Sequence, residues 1–270
     1  MNNSINSKVV IITGASSGIG AATARRLARD GMRLTLAARR LDRLEQVAAE
    51  VESLGGEALV VQTDVRNQAE IQRMVKATHD RWGQIDVLLN NAGMGNDKPL
   101  FRTKSERVRD EINVNLIGVI ECAQAVLPVM LRQKSGQIIN VASIAGLVAL
   151  PGSTIYCATK YGVNGFSDAL RRELRGFGIT VSAFCPGFTP TEISPDLKAA
   201  AEGRPGAPRR PGLMPVAYVA DQIARLIRHP RREVIIPPSW KILVLIAYLF
   251  PGVADTLIHL FLSKEKKAIQ

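Results

Sequence analysis

Short runs of aliphatic and β-branched residues alternate along this chain with longer stretches whose apolar positions recur every three or four residues. The first pattern marks strands and the second marks amphipathic helices. Residues 8–13 read as a first strand, 18–30 as a helix and 33–38 as a second strand. Over 41–54, Leu41, Leu44, Val47, Ala48 and Val51 line one face of a helix. Residues 58–61 and 87–89 are two more strands, with a helix over 68–82 between them. A long helix begins near Thr103, where Thr103-x-x-Glu106 has the form of a capping box, and runs to about Leu131. A strand at 137–141, a helix at 154–175 and a strand at 180–184 follow.

Strands that alternate with helices need right-handed crossovers. These build an α/β fold: a doubly wound, mostly parallel sheet with helices on both faces. No internal repeat and no linker divides the 270 residues, so one domain is expected over 1–239. Residues 199–215, rich in Ala, Gly, Pro and Arg, show no period and read as a mobile excursion. Beyond 239 lies an apolar extension. Ile242 to Phe250 are uninterrupted apolar residues, Pro251-Gly252 breaks the run, and 253–262 resume it with Asp255 and His259 inside. A spanning helix needs about 20 apolar residues. The extension, 240–270, therefore reads as a helical tail packed on the domain, on a partner subunit or on a membrane surface. Lys264, Lys266 and Lys267 would suit anionic headgroups.

Composition narrows the function classes. With 46% apolar and 22% charged residues, the chain is neither disordered, collagen-like nor a small disulfide scaffold. Cys122, Cys157 and Cys185 are odd in number and too far apart for a metal-ligand pattern. They read as reduced thiols, and no metal is expected. The opening MNNSINSKVV lacks the pattern of a signal peptide, and a cytoplasmic location is expected. The net charge of +11 raises nucleic acid as a partner, but only 5% of residues are aromatic and no zinc spacing occurs. The arginines also fall on helix faces, as at Arg25, Arg26 and Arg29. An anionic cofactor or a membrane surface uses that charge better than nucleic acid does.

The first strand is followed by Thr13-Gly14-Ala15-Ser16-Ser17-Gly18-Ile19-Gly20. Glycine permits the tight turn, the close approach of a pyrophosphate and close helix–strand packing, and a helix start favours the anion. An NAD site usually follows with an acid at the end of the second strand. Here Arg39 and Arg40 stand there, with no acid before Asp42. A guanidinium pairs with a 2′-phosphate that a carboxylate would repel, so NADP(H) is expected over NAD(H).

Tyr156 and Lys160 stand four apart in a predicted helix and share one face. Ser143 precedes Tyr156 by thirteen residues, just past a strand's carboxyl end, where open parallel sheets bind ligands. The chemistry needs these types. An adjacent ammonium lowers the pKa of a tyrosine towards neutrality, and the other lysine donors can hold a nicotinamide ribose. The serine hydroxyl can polarise a substrate oxygen. The isolated His79, His229 and His259 are not placed to act as bases.

With these residues in order, the chain resembles the short-chain dehydrogenase/reductase family, in its single-domain branch. The matching segments are TGASSGIG at 13–20, Asp64-Val65, NNAG at 90–93, Asn115-Leu-Ile-Gly118, Ser143, Tyr156-Cys-Ala-Thr-Lys160 and Pro186-Gly187. The resemblance implies a Rossmann-type sheet of about seven strands and a Ser143–Tyr156–Lys160 site completed by Asn115. In that family the asparagine holds a water that links the lysine to solvent. Gly14, Ser16, Ser17, Gly18, Ile19 and Gly20 would bind the cofactor, and Asp64 and Val65 would flank its adenine. Asn91, Ala92 and Gly93 would line the groove, with Pro186 and Gly187 at its far end. Thr189 and Thr191 either bond the carboxamide or start a helix.

The expected function is an NADP(H)-dependent oxidoreductase interconverting a carbonyl and an alcohol, with Tyr156 as acid/base. The apolar tail, with residues 188–215 as a substrate loop, points to a lipophilic substrate. One alternative is a 3-oxoacyl-carrier-protein reductase that docks an acidic carrier on Arg132, Lys134, Arg171 and Arg172. Another is a non-catalytic NADP(H)-binding regulator. A homodimer or homotetramer is expected, with peripheral membrane contact through the tail as a further partner.

Overall fold

A strand with branched side chains on both sides must be covered on both faces. All five residues of β1 (Val9–Thr13) are buried: Val10 and Ile12 join one core cluster and Ile11 the other. The computed structural model describes residues 7–95, 98–193, 199, 202 and 212–266. The other strands are β2 (Arg33–Ala38), β3 (Glu57–Gln62), β4 (Val87–Asn90), β5 (Gly136–Val141), β6 (Ile179–Pro186) and β7 (Glu233–Ile236). All pair in parallel, in the order β3-β2-β1-β4-β5-β6-β7.

Helices α1 (Gly18–Ala28) and α2 (Leu41–Ser53) cover one face. Helix α3 (Gln68–Trp82) covers the other. A continuous helical stretch follows: α4 (Ser105–Ile112), one π-helical turn (Asn113–Ile117) and α5 (Gly118–Gln133). Helix α5 and the carboxyl-terminal half of α6 (Thr154–Glu173) complete the second face. Helix α7 (Val216–Arg228), which the pattern reading leaves unassigned, joins the first face through Val219, Ile223, Ala224 and Ile227. The doubly wound sheet and the six strands placed by the pattern appear as expected, with ends shifted by one or two residues; β7 is the seventh strand that the resemblance implies but the pattern reading does not place.

The capping box at Thr103-x-x-Glu106 is not formed. Helix α4 starts one residue later than the box requires, after Lys104, which gives no side-chain cap, and the Thr103 hydroxyl donates to the Pro99 carbonyl (3.1 Å) in the preceding turn. The stretch from Ser105 to Gln133 is apolar enough to cross a membrane by length and composition, but half of its most apolar part is buried in protein.

Because β1 and β4 are neighbours, the chain runs outward through β2 and β3 and then returns to the centre. At that reversal the connections leave on opposite sides and open a crevice beyond the carboxyl ends of the strands. A buried amide ladder fixes this region. Asn90 Nδ2 donates to Asn140 Oδ1 (2.9 Å) and to the Val119 carbonyl (3.1 Å), and Asn140 Nδ2 donates to Ser167 Oγ (2.9 Å). It ties β4, β5, α5 and α6 together.

The tail forms α8 (Trp240–Leu249) and α9 (Pro251–Lys266). Its inner side packs on the protein: Trp240 and Val244 lie against the cluster of Ile144, Val163, Cys185 and Ile235. Its outer side leaves Ile242, Leu245, Tyr248, Leu249 and Val253 exposed. The side chains of Lys264, Lys266 and Lys267, residues 1–6 and most of 199–215 lie outside the described residues.

Replacing Asn140 by Ala strips Asn90 of one of its two buried acceptors. A buried donor left unmatched costs about 1–3 kcal/mol. Urea unfolding of Asn140→Ala should show a loss of that size with an unchanged m-value.

Candidate active site

The glycine turn is held from two sides. Gly14 (φ +67°) and Gly18 (φ +55°) occupy the left-handed region that glycine alone enters without strain. A Cβ on Gly14 would stand 2.8 Å from the Ala92 Cα, and one on Gly20 would strike the Gly14 carbonyl oxygen. The strand-end segment after β4 grips the turn. Thr13 Oγ1 accepts from the Asn91 and Ala92 N–H groups (3.0 Å each), and Asn91 Nδ2 donates to the Thr13 carbonyl (2.9 Å). Asn91 thus braces the turn, while Ile19 packs into the core below it.

The turn meets the demands of an anionic dinucleotide. Helix α1 begins after Ser17, which puts no side-chain cap on its first N–H groups. Arg40 reaches into the turn, with Nη2 2.8 Å from Ser17 Oγ, 3.1 Å from Ser16 Oγ and 2.9 Å from Glu192 Oε2. Arg39 lies on the side of Asp64, whose charged form it favours. The Asp64 carboxylate is gripped by Arg66, with Nη2 at 2.7 Å, and this holds it below the usual carboxylate range. Val65 is buried against Gly118 at the start of α5.

Beyond β5, Ser143 begins a tight turn (Ile144–Gly146). Its Oγ accepts the Ala145 N–H (3.1 Å), which leaves the hydroxyl proton available to donate. Gly146 sits against the backbone of Lys160, closer than a Cβ would allow, and Asn164 Nδ2 bonds its carbonyl (2.8 Å). This contact holds the Ser143 turn against α6, which carries Tyr156 and Lys160. Lys160 is 4% exposed and its ammonium donates to the Val141 carbonyl (2.8 Å). It lies 5.5 Å from the centre of the half-buried Tyr156 ring. Burial pulls its pKa down to about 8, against the opposing pull of Cys185 and Glu111.

Asn115 lies in the π-helical turn and is fully buried. Its amide forms a reciprocal pair with the Met94 backbone (2.8 Å each way) and donates to Thr159 Oγ1 (3.3 Å). Gly93 lies directly above it. Such turns widen a helix and recur at functional sites. Past Pro186, the Gly187 N–H bonds the Ile236 carbonyl (2.8 Å) and Thr189 Oγ1 donates to the Gly187 carbonyl (3.2 Å). Thr191 sets its methyl over Gly18. Both threonines themselves lie in an irregular segment.

The crevice therefore gathers the glycine turn, Arg40, the strand-end Asn91–Gly93 and Thr191. Ser143, Tyr156, Lys160 and Asn115 form a second group around the start of α6. Sequence reasoning missed Glu111, buried one turn before Asn115 and close enough to bear on Lys160, because an acid in an otherwise polar helix signals nothing. It also missed Glu192. The three cysteines are free and buried, and burial pushes Cys122 and Cys185 up to about 12. Among the described residues no cluster of His, Cys, Asp or Glu could hold a metal.

Comparison with known proteins fits this geometry. Residues 8–202 match the short chain dehydrogenase family. The chain is 43% identical over 196 residues to a 3-oxoacyl-acyl-carrier-protein reductase of Synechocystis sp., covering 72% of this chain and 79% of that one. An uncharacterised oxidoreductase of Listeria innocua is 38% identical over 228 residues, 81% of this chain and 92% of its own. Among solved structures, a short chain dehydrogenase/reductase from Burkholderia phymatum in complex with NAD superposes with a TM-score of 0.83. It is 30% identical, over 93% of this chain and 96% of that one. A variant of actinorhodin polyketide ketoreductase with NADPH reaches 0.78 at 31% identity, over 86% and 96% of the two chains. The chain belongs to the short chain dehydrogenase family, and it is an oxidoreductase acting on CH–OH groups.

Proposed function

We propose that the protein is an NADP(H)-dependent oxidoreductase interconverting a lipophilic carbonyl compound and its alcohol, with Tyr156 as the acid and base. One observation carries this reading: a buried lysine ammonium, pinned by the Val141 carbonyl, stands beside the Tyr156 ring. A cation so close to the ring stabilises the phenolate and brings proton transfer into the neutral range. The nicotinamide, when bound, supplies or accepts the hydride.

In reduction Tyr156 gives its hydroxyl proton to the carbonyl oxygen, and Ser143, whose own proton is free to donate, hydrogen-bonds the same oxygen. Lys160 keeps two donors beyond the one on Val141, enough to hold a ribose and to face the tyrosine. Asn115 anchors Met94 to Thr159 and so keeps the strand-end segment against α6, besides the water relay that the resemblance implies. A lipophilic substrate fits the walls. Phe188, just past β6, meets Trp240 of the tail edge-on at 5.2 Å and sets an aromatic pair beside the segment that carries Thr189 and Thr191.

A carrier-bound 3-oxoacyl substrate is the second reading, favoured by the name of the Synechocystis relative. Against it, Arg171 and Arg172 already share Asp168 with Arg232, which leaves less free positive charge for an acidic carrier. NADPH oxidation with hydrophobic aldehydes and ketones, set beside 3-oxoacyl thioesters on a carrier, separates the two by their specificity constants.

Three outcomes follow from this chemistry. Tyr156→Phe should lose about 10²–10⁴ in kcat while its Kd for NADPH, read by fluorescence titration, stays within about threefold of wild type. The pH profile of kcat/KM for reduction should fall above about 8, as Lys160 loses its proton. Lysine is cationic below its pKa, so the loss lies on the alkaline side, and the residual rate of Lys160→Met should lack this limb. Replacing Arg39 and Arg40 together by neutral residues should weaken NADPH about 10–100-fold and leave NADH nearly unchanged, as charge-assisted bonds to one phosphate require. Parallel titrations of both cofactors check it.

A further inference from the structure

We propose that Glu192 is a specificity-determining residue for the cofactor: its carboxylate holds the place on Arg40 and Ser17 that a 2′-phosphate takes, so NADP(H) binds by displacing it, whereas NAD(H) binds with the bridge intact. The inference rests on the NADP(H) reading above and adds to it a competitor built into the chain.

Two groups, Arg40 and Ser17, bond this one anion, and Ser16 joins them through Arg40. Arg40 Nη2 stands 2.9 Å from Glu192 Oε2, 2.8 Å from Ser17 Oγ and 3.1 Å from Ser16 Oγ. Ser17 also hydrogen-bonds Glu192, and Arg43 lies near enough to favour its charged form. Ser16 and Ser17 belong to the turn after β1, and Arg40 follows β2, the strand paired with β1. Between those two strand ends a doubly wound sheet receives the adenosine ribose, whose 2′ position meets the residue after the second strand. Glu192 therefore occupies that position with the charge sign of a phosphate.

The carboxylate arrives from the other end of the site. It belongs to the segment after β6 that holds Phe188, Thr189 and Thr191, and Thr191 already lies over Gly18. The Arg40–Glu192 bridge thus straps the first residues of the expected substrate loop across the glycine turn. A phosphate carries more charge than a carboxylate and takes a guanidinium in fork geometry, so it wins the exchange. The bridge is weak enough to be exchanged, since its two side chains are 44% and 42% exposed. Displacing it frees this segment, while a cofactor without the 2′-phosphate leaves it strapped.

The test is Glu192→Gln, a near-isosteric change at an exposed position. It should tighten NADPH and adenosine 2′,5′-bisphosphate by about two- to fivefold, the range of an exposed ion pair, and leave NADH and 5′-AMP unchanged. Hydrogen exchange over 187–193 should rise in wild type with adenosine 2′,5′-bisphosphate but not with 5′-AMP, and should already be high in Glu192→Gln without ligand. Equal shifts for both pairs of ligands, or none, overturn the proposal. Arg40→Ala keeps the two readings apart. If it weakens NADPH while Glu192→Gln changes no ligand's affinity, only the bridge falls. If it leaves NADPH affinity intact, the assignment of Arg40 to the phosphate falls, and the bridge falls with it.

Discussion

The Lys160 ammonium is the group around which the site is organised. A charge taken out of water demands compensation, and here it comes from one carbonyl, that of Val141 at the end of β5, with the Tyr156 ring nearby. To bring helix and strand end that close, the turn after Ser143 must lie flat on α6, and only a glycine at 146 permits it. The amide ladder from Asn90 through Asn140 to Ser167 holds β4, β5 and α6 in the same register from below. The lysine thus makes local demands on four elements at once.

The other half of the crevice obeys a constraint of space instead of charge. Gly14 and Gly20 keep the first turn so close to the strand end after β4 that no side chain fits between them. Thr13 and Asn91 then close the gap with hydrogen bonds in both directions. Residues that would be read as touching the cofactor are in part braces for the backbone that touches it. Asn115 behaves likewise: its amide is spent on Met94 and Thr159, so it joins the strand-end segment to the helix of Lys160. The positive charge is also more local than the net value of +11 implies. Arg66 is consumed by Asp64 and Asp110, and Arg232 by Asp168, while Arg40 faces the glycine turn.

The tail shows how an apolar run divides its labour. One side of α8 packs on the turn after Ser143 and on β7, through Trp240 and Val244. The opposite side keeps Ile242, Leu245 and Tyr248 in solvent. The nine-residue apolar run reads as uniformly hydrophobic, and nothing in it distinguishes the side that docks from the side that does not.

The alternation of strands and helices up to residue 186, the doubly wound parallel class and the glycine turn were legible in the chain alone, as was the spacing that makes Ser143, Tyr156 and Lys160 candidates. Each of these rests on local periodicity or on spacing within one or two elements. Helix α7 carries the same kind of signal, with Val219, Ile223 and Ile227 at helical spacing, but the pattern reading leaves it unassigned. Only the tertiary structure decided the rest. The capping form at Thr103 failed because the turn at 99–103 carries the chain on so that helix α4 begins one residue later, after Lys104. Glu111 became a buried neighbour of Lys160 through the packing of α4 on α6, and Glu192 met Arg40 across 152 positions of chain. Partners so distant are chosen by where the strand ends and loops come to lie, and local sequence carries no record of that choice.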